Sequence, residues 1–367
     1  MKTLRLFLQF LFVIANIIVV VLFILAAYSD RFSPEKSLLF SYLGLAFPVL
    51  CALNICFILY WLFLWEWKFL LIGVVSFLIC WTPVKNYFPF HSPVKPVPQE
   101  NVLKVLTYNV MGFGYKNHTK YSPNQIIEYI ANSDADIVCL QEYAEHKSEK
   151  YLTRNKIFSA LKMYPYRSVF TLSSNKLMTF GIAVFSKYPI SESRRIKYDS
   201  NFNGSSVHQV KVKDKNITLI NNHLESFKLT SEDRSRYSAF IKNIGSDTFD
   251  ELRGAIQQKL GPAFIIRAKQ AKTVASEVEK AKNGYIVVCG DFNDTPISYA
   301  HRTVQGPLVD AFSESGRGIG VSYNQNFFWF RIDNILHSSN MKAMNCTVDK
   351  VKYSDHYPMW CYLQLDK

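Results

Sequence analysis

From Leu4 to Ala27 the chain carries a single charge, Arg5, and from Leu38 to Leu64 it carries none. A helix needs about 20 apolar residues to cross a bilayer core, so both runs are long enough to span and too uniformly apolar for an ordinary domain interior. A third run, Phe69–Thr82, is shorter, with Trp65, Trp67, Lys68 and Trp81 at its ends, where interfacial anchors lie. Residues 1–90 therefore read as a transmembrane region with spans at about 4–27, 38–64 and 68–82. A cleavable signal peptide is the rival for the first run, but the run is long, no small-x-small site ends it cleanly, and further spans follow. Lys2 and Arg5 favour a cytoplasmic N-terminus, so three spans would place the rest of the chain outside the cytoplasm and two would return it inside. The loop Ser29–Ser37 balances Asp30 and Glu35 against Arg31 and Lys36 and does not decide between them.

These runs hold much of the 49% hydrophobic content. Beyond residue 90 the chain keeps 36 Lys or Arg against 26 Asp or Glu, a net of +10. That excess favours an anionic partner or surface, and nucleic acid and acidic lipid headgroups fit it equally. No long Lys/Arg run marks a defined patch, so a solvated basic surface fits as well. Of the seven cysteines, Cys51, Cys56 and Cys80 fall in apolar runs and Cys139 and Cys289 in strand-like ones. No metal-type C-x-x-C pair occurs. Cys346 and Cys361 could pair in an oxidising compartment, and their spacing leaves both states open.

His91-Ser92-Pro93-Val94-Lys95-Pro96-Val97-Pro98 reads as a stiff, extended linker over 91–101, because each proline fixes its own φ and disfavours helix before it. Strand-like runs follow at Leu103–Val110, Ile137–Gln141, Ile182–Ser186, Val207–Val212, Ile217–Asn221, Tyr285–Cys289, Ile332–His337 and Trp360–Leu365. Ser122 with Pro123 suggests the N-cap and first position of a helix reaching Ala131. A second helix is expected over Ala268–Lys282, stopped by Asn283-Gly284. Ser226–Ile266 is less determined, with a helix around Asp247–Lys259, and either caps a site or decorates the surface. Strands with irregularly spaced helices argue for α/β or α+β rather than a regular βαβ repeat.

Five of the strand-like runs end in polar clusters: Leu106-Thr107-Tyr108-Asn109, Leu140-Gln141-Glu142, Asn222-His223-Leu224-Glu225, Gly290-Asp291-Phe292-Asn293-Asp294 and Ser354-Asp355-His356-Tyr357-Pro358. Polar residues that repeatedly follow buried strands converge at one sheet edge, where carboxylates and imidazoles can share a metal and an anionic substrate. Glu142, emerging from a buried strand, needs a partner for its charge. A few acids suit magnesium, which takes one or two carboxylates and completes its shell with water and phosphate oxygens. Asp291 and Asn293, two apart on an extended segment, can point the same way, one toward an attacking water and the other toward a phosphoryl oxygen. The alternative there is an Asx turn. Asp355 faces away from its neighbour His356, so Asp333 is the better acid for orienting that imidazole and keeping it protonated. His223 adds a donor to the phosphoryl oxygens.

In this order the clusters resemble the endonuclease/exonuclease/phosphatase superfamily, metal-dependent phosphoesterases related to deoxyribonuclease I, over residues 102–367. The resemblance implies a four-layer α/β/β/α sandwich behind the transmembrane region. It also implies hydrolysis of a phosphodiester or phosphomonoester by in-line attack of water, with Mg²⁺ or Mn²⁺ as Lewis acid and template. It assigns catalysis to His223, Asp291, Asn293, Asp333 and His356, phosphate binding to Asn109, His223, Asn293 and His356, and the metal to Glu142, Asn109 and Asp355. Members act on DNA, RNA, inositol lipids or sphingomyelin, so nucleic acid and a phospholipid headgroup are both expected substrates. His223-Leu224-Glu225-Ser226 looks most like the version in tyrosyl-DNA phosphodiesterases. No motif position is missing, which argues against the alternative of an inactive binding or scaffold module. Membrane attachment favours a lipid or extracytoplasmic substrate, in a cell (inner) membrane with the catalytic part outside the cytoplasm. Asn-x-Ser/Thr triplets at Asn117, Asn203, Asn216, Asn293 and Asn345 are taken as chance, since glycosylation at Asn293 would block the site.

Overall fold

A computed structural model describes residues 2–94, 101–198, 200, 202–228, 235, 246–325 and 328–366. Two six-stranded sheets face each other. The first has the order β13-β14-β1-β2-β4-β3, built from β1 (Val102–Asn109), β2 (Ile137–His146), β3 (Tyr166–Ser174), β4 (Met178–Ser186), β13 (Met341–Val348) and β14 (Met359–Leu365). The second has the order β5-β6-β7-β8-β12-β9, from β5 (Ile190–Ile196), β6 (Gly204–Val212), β7 (Lys215–His223), β8 (Tyr285–Asp291), β9 (Val309–Asp310) and β12 (Asp333–His337). A small hairpin joins β10 (Tyr323–Gln325) to β11 (Phe328–Phe330).

Alternation in each strand supplies both faces. On β1, Leu103 and Val105 enter the inter-sheet core with Cys139, Leu219, Val287 and Met359. Leu106 and Tyr108 point outward, under Ile126, Ile127 and Ile130 of α5 (Gln125–Ala131) and Ile157 of α6 (Arg154–Ala160). On the second sheet Ile220, Ile286 and Val288 pack under Ala271, Val274 and Val278 of α7 (Ser246–Lys280) and Ala300 and Val304 of α8 (Tyr299–Gln305). The result is the α/β/β/α sandwich expected from the sequence.

Several local expectations change. The first helix beyond the linker, α5, is capped by Asn124, whose side chain accepts from the Ile126 and Ile127 amides; Ser122 and Pro123 lie before it. The helices expected at Asp247–Lys259 and Ala268–Lys282 are one helix, α7, running through Pro262. Most of the remainder of Ser226–Ile266, including 229–234 and 236–245, lies outside the described residues. Strands β3, β5 and β13 were not marked by the sequence. Cys346 and Cys361 are both buried free thiols.

The N-terminal part forms α1 (Lys2–Ala27), α2 (Leu38–Phe63), α3 (Trp67–Ile79) and α4 (Trp81–Tyr87). The first two are long and apolar enough to cross a membrane; in the region of the third expected span, α3 and α4 meet at 68° at Cys80 and make a third only if the bent pair counts as one span. Thirteen residues of α3 rise only about 20 Å. At the end away from the sheets, the Gln9 amide donates to Glu66 at 3.1 Å. At the near end, Ser29 Oγ donates to the Ile297 carbonyl, Arg302 pairs with Asp30 at 3.1 Å, and Lys272 pairs with Glu35. Tyr42 of α2 meets Phe264 of α7 edge-on, and Arg331 donates to the Asn86 carbonyl just inside the end of α4. The start of the expected linker lies against the sandwich: Phe90 bridges Arg317, His91 N donates to the Gly316 carbonyl, and Val94 N to Asn345. Residues 95–100 of that linker lie outside the described residues.

Candidate active site

The strand register aligns the polar clusters. Asn109 lies beside Gln141 where β1 and β2 run parallel. Across the second sheet Asp291 of β8 sits between His223 of β7 and Asp333 of β12, paired with both. The inward face that is Leu, Val and Ile deeper in the sandwich becomes polar here: Thr107, Gln141 and Asn221 link the two sheets, with Gln141 Nε2 donating to Asn221 at 2.6 Å. Such an array orients the strand ends because each buried polar atom left unpaired would cost about 1–3 kcal/mol.

Glu142 does not end its strand. β2 continues to His146, and the register slips between Leu140 and Tyr143, a β-bulge that leaves Glu142 at φ +49°. A bulge re-aims one side chain, and here it turns the carboxylate, still 37% exposed, into the pocket. Asn109 Nδ2 donates to Glu142 Oε1 at 3.1 Å and to Asp291 Oδ2 at 3.0 Å, tying the sheets together. Its Oδ1 accepts from the Met111 amide at 3.1 Å. The oxygen of Asn109, expected at the metal, thus accepts one backbone amide while its nitrogen contacts two carboxylates.

Asp291 and Asn293 meet by another route than the one expected. Asn293 has φ +53°, not an extended backbone, and its amide donates to Asp291 Oδ1 at 2.8 Å, an Asx turn. The turn itself brings Asn293 Nδ2 to 3.1 Å from Asp291 Oδ2 and 3.0 Å from the Leu224 carbonyl. Gly290 makes the approach possible. With φ +132°, a Cβ there would sit 2.0 Å from the Asn222 carbonyl oxygen. Gly290→Ala is therefore expected to pry β8 from β7, destabilise the fold by roughly 1–3 kcal/mol or more, and displace Asp291. A thermal unfolding midpoint equal to the parent's would contradict this.

His356 and Asp333 form a buried pair, Nδ1 to Oδ2 at 2.8 Å. Nε2 of the same ring lies 3.7 Å from Asp291 Oδ2. Burial alone would lower the His356 pKa, but the charges of Asp333 and Asp291 and the Asp333 hydrogen bond reverse this and raise it well above the ordinary imidazole value. His223 is the opposite case. Burial lowers its pKa despite Asp291, leaving a neutral ring with Nε2 3.7 Å from Glu142 and 3.8 Å from Asp291. Burial raises Asp291 to about 6, partly offset by His356, and raises Glu142 with help from the like charge of Asp355. Asp355 lines the pocket, and Ser354 beside it donates to the Asn109 carbonyl at 2.9 Å.

Glu142, Asp291, Asn293, Asp355 and His356 thus line a cavity of about 320 Å³ at one end of the sandwich, and Asn109, His223 and Asp333 stand behind them in contact with Glu142, Asp291 or His356. Others were missed. Asn203, noted only as a glycosylation triplet, is buried and reaches His223 Nε2 and the Leu224 carbonyl, at 3.4 and 2.8 Å. The Tyr323 ring centroid lies 5.0 Å from that of His356. Arg267, fully buried, donates to the Glu225 carbonyl and to Asp294 at 2.9 and 2.6 Å, clamping the loops after β7 and β8. No sequence signal marks it, because its partners are 42 and 27 residues away. Leu45 of α2, Phe227, Leu260 of α7, Phe330 and Ile332 complete the cavity wall.

Solved structures share this fold. An endonuclease/exonuclease/phosphatase from Beutenbergia cavernae superposes with a TM-score of 0.51 at 15% identity over 72% of each chain. The human Nocturnin catalytic domain gives 0.49 at 14% identity over 73% of this chain and 95% of its own. A humanized D. rerio TDP2 gives 0.47 at 15% identity over 72% and 99%. No curated protein matches the chain. A family model described only as a domain of unknown function matches residues 9–87, the apolar part. The model of the Endonuclease/Exonuclease/phosphatase family matches residues 106–356, from the strand before Asn109 to His356 itself, and the chain belongs to that family.

Proposed function

We propose that this chain is a membrane-tethered, divalent-metal-dependent phosphoesterase, with residues 1–90 in the bilayer, 91–101 as the joint and 102–367 as the hydrolase. The observation that supports it most is the meeting of Glu142, Asp291 and His356, from two strands and a loop, in one pocket, with Asp333 of a third strand holding His356 from behind. An inactive scaffold would have no need to hold a carboxylate raised to about 6 beside a protonated imidazole.

The donor set fits a hard cation. Glu142 and Asp355 present carboxylates to the same pocket, and the Asp355 charge raises the cost of charging Glu142. The ligand atoms of Asp291, Asp333 and His356 also lie within 4.8 Å of one another. A protonated imidazole has no free lone pair, however, so the site we favour is Glu142 with Asp355, and the preferred ions are Mg²⁺ or Mn²⁺. Bound there, the ion would polarise the phosphoryl oxygen and offset charge on it.

The chain's own groups supply the proton transfers. Asp291, fixed by Asn109 and Asn293, accepts a proton from the attacking water as its oxygen bonds to phosphorus. The ester P–O bond breaks, and the departing oxygen takes the proton from His356 Nε2, whose other nitrogen is held by Asp333. His223, neutral and close to both Glu142 and Asp291, donates to a phosphoryl oxygen. Helices α1, α2 and α3 together carry the chain from the Gln9 end to the domain end, so a cytoplasmic N-terminus would put the hydrolase on the opposite side of a cell (inner) membrane.

Full-length protein in lipid nanodiscs is expected to hydrolyse bis-p-nitrophenyl phosphate with Mg²⁺ or Mn²⁺ and to lose that activity in EDTA, recovering it on metal addition. Hydrolysis that EDTA leaves untouched would remove the metal from the mechanism, and no hydrolysis under any condition would remove the mechanism.

A further inference from the structure

The catalytic pocket is not walled by the hydrolase alone. Leu45, in the second turn of the membrane helix α2, faces the same cavity as Glu142, Asp291 and His356. The contact that brings it there is built on several residues. Gly44 packs so closely that an added Cβ would meet Ser29 Oγ at 2.5 Å and the Ile297 carbonyl at 3.5 Å. Leu38 and Tyr42 close over Gly261 of α7 in the same way. The loop that follows Asn293 therefore runs directly beneath the start of α2, and Leu260 of α7 continues the apolar wall from it.

The β10–β11 hairpin also reaches the cavity, with Tyr323 and Phe330 in its wall and Trp329, next to Phe330 in the chain, 57% exposed. Polar catalytic groups and hydrocarbon thus share one cavity, and part of its hydrocarbon belongs to a helix that is apolar from Leu38 to Phe63. A nucleic-acid backbone calls for several cations along its path. Among the described residues, Lys228 is the one Lys or Arg of this lining, and Glu225 holds it at 2.6 Å.

We propose, resting on the phosphoesterase reading above, that the substrate is a lipid-borne phosphoester that enters from the bilayer. Its phosphate sits among Glu142, Asp291 and His356, and its hydrocarbon lies along Leu45 and Leu260. The membrane helix then does more than anchor. It supplies part of the substrate site through Leu45, and the bond broken lies at the level of the headgroups.

Alkyl phosphates of increasing chain length separate this from a soluble or polymeric substrate without requiring the natural headgroup. Full-length protein in phosphatidylcholine nanodiscs is assayed on bis-p-nitrophenyl phosphate against butyl, octyl and dodecyl phosphate and against a single-stranded oligonucleotide. The inhibition constant is expected to fall at least tenfold from butyl to dodecyl phosphate, as successive buried methylenes add to binding. Leu45→Gln and Leu260→Gln should each flatten that dependence. Because the readout is a ratio within each variant, it does not depend on how much of a variant folds. Chain-length dependence that survives undiminished in both variants would overturn the proposal, because bilayer partitioning alone would then explain it. So would its absence from the parent, or an oligonucleotide that is cleaved faster than the nitrophenyl ester. Absence of all phosphoester hydrolysis would instead overturn the phosphoesterase reading, and this proposal with it.

Discussion

Replacing His356 by alanine is expected to lower kcat on a phosphodiester by roughly 10²–10⁴-fold, the usual loss for a positioned general acid. The proposed role needs the ring protonated at neutral pH, and the structure provides the cause: Asp333 at 2.8 Å and Asp291 at 3.7 Å outweigh the effect of burial. Asp333→Asn makes the sharper test. It keeps the shape and a hydrogen bond to Nδ1 but removes the charge, so burial would then dominate and the His356 pKa would fall. An acid is active below its pKa, so the descending limb of the kcat/KM profile should move to lower pH in Asp333→Asn. The ascending limb, assigned to Asp291 losing its proton near pH 6, should persist. A profile whose descending limb stays in place would show that His356 is not the proton donor.

Much of this site was legible because its residues sit at strand ends, and strands are marked by local composition. Tyr285 to Cys289 is an unbroken apolar run, and the polar residues after it had to lie at a sheet edge wherever the sheet was. The pairing of His356 with Asp333 was legible for a different reason: adjacent residues face opposite ways, which excluded Asp355. What the sequence did not carry was tertiary. The bulge at Glu142 has no local signature, since Tyr143 to His146 look as much like a loop as a strand until β4 pairs with them. Asp291 and Asn293 were expected to align through an extended backbone, and instead a left-handed Asn293 aligns them through a turn. The turn chemistry was visible as the alternative; the two readings proved to be one structure.

The helical misreadings have the same origin. Gly261-Pro262 reads as a break, yet α7 continues through it because Gly261 is where Leu38 and Tyr42 of α2 press against the helix. That contact joins parts of the chain more than 200 residues apart, and no window of sequence contains it. The same distance hid Leu45, which reads as one more apolar residue in a span. A linker punctuated by prolines suggested two separable parts, whereas the Arg302–Asp30 and Lys272–Glu35 pairs, with the Ile297 carbonyl at Ser29, make the helices part of the catalytic end of the sandwich.

Glu142→Gln carries the second large effect. The side chain keeps its length, and the Asn109 amide can still donate to its oxygen, so the fold should survive; what is lost is a formal charge from a pocket whose metal affinity would come from Glu142 and Asp355 together. The expected result is a fall in kcat of about 10²–10³-fold, comparable to losing one electrostatic contact to the reacting phosphate. Alongside it, the Mg²⁺ concentration for half-maximal activity should rise at least tenfold. The second readout separates the roles. His356→Ala should lose rate at an unchanged metal requirement, while Glu142→Gln should lose both, and its residual activity should recover in part at high Mn²⁺, which tolerates nitrogen and amide donors better than Mg²⁺ does. Were Glu142→Gln to keep the parent's metal titration while His356→Ala shifted it, the assignments would have to be exchanged: the ion would belong among Asp291, Asp333 and His356, whose ligand atoms lie within 4.8 Å of one another, and Glu142 would be a brace.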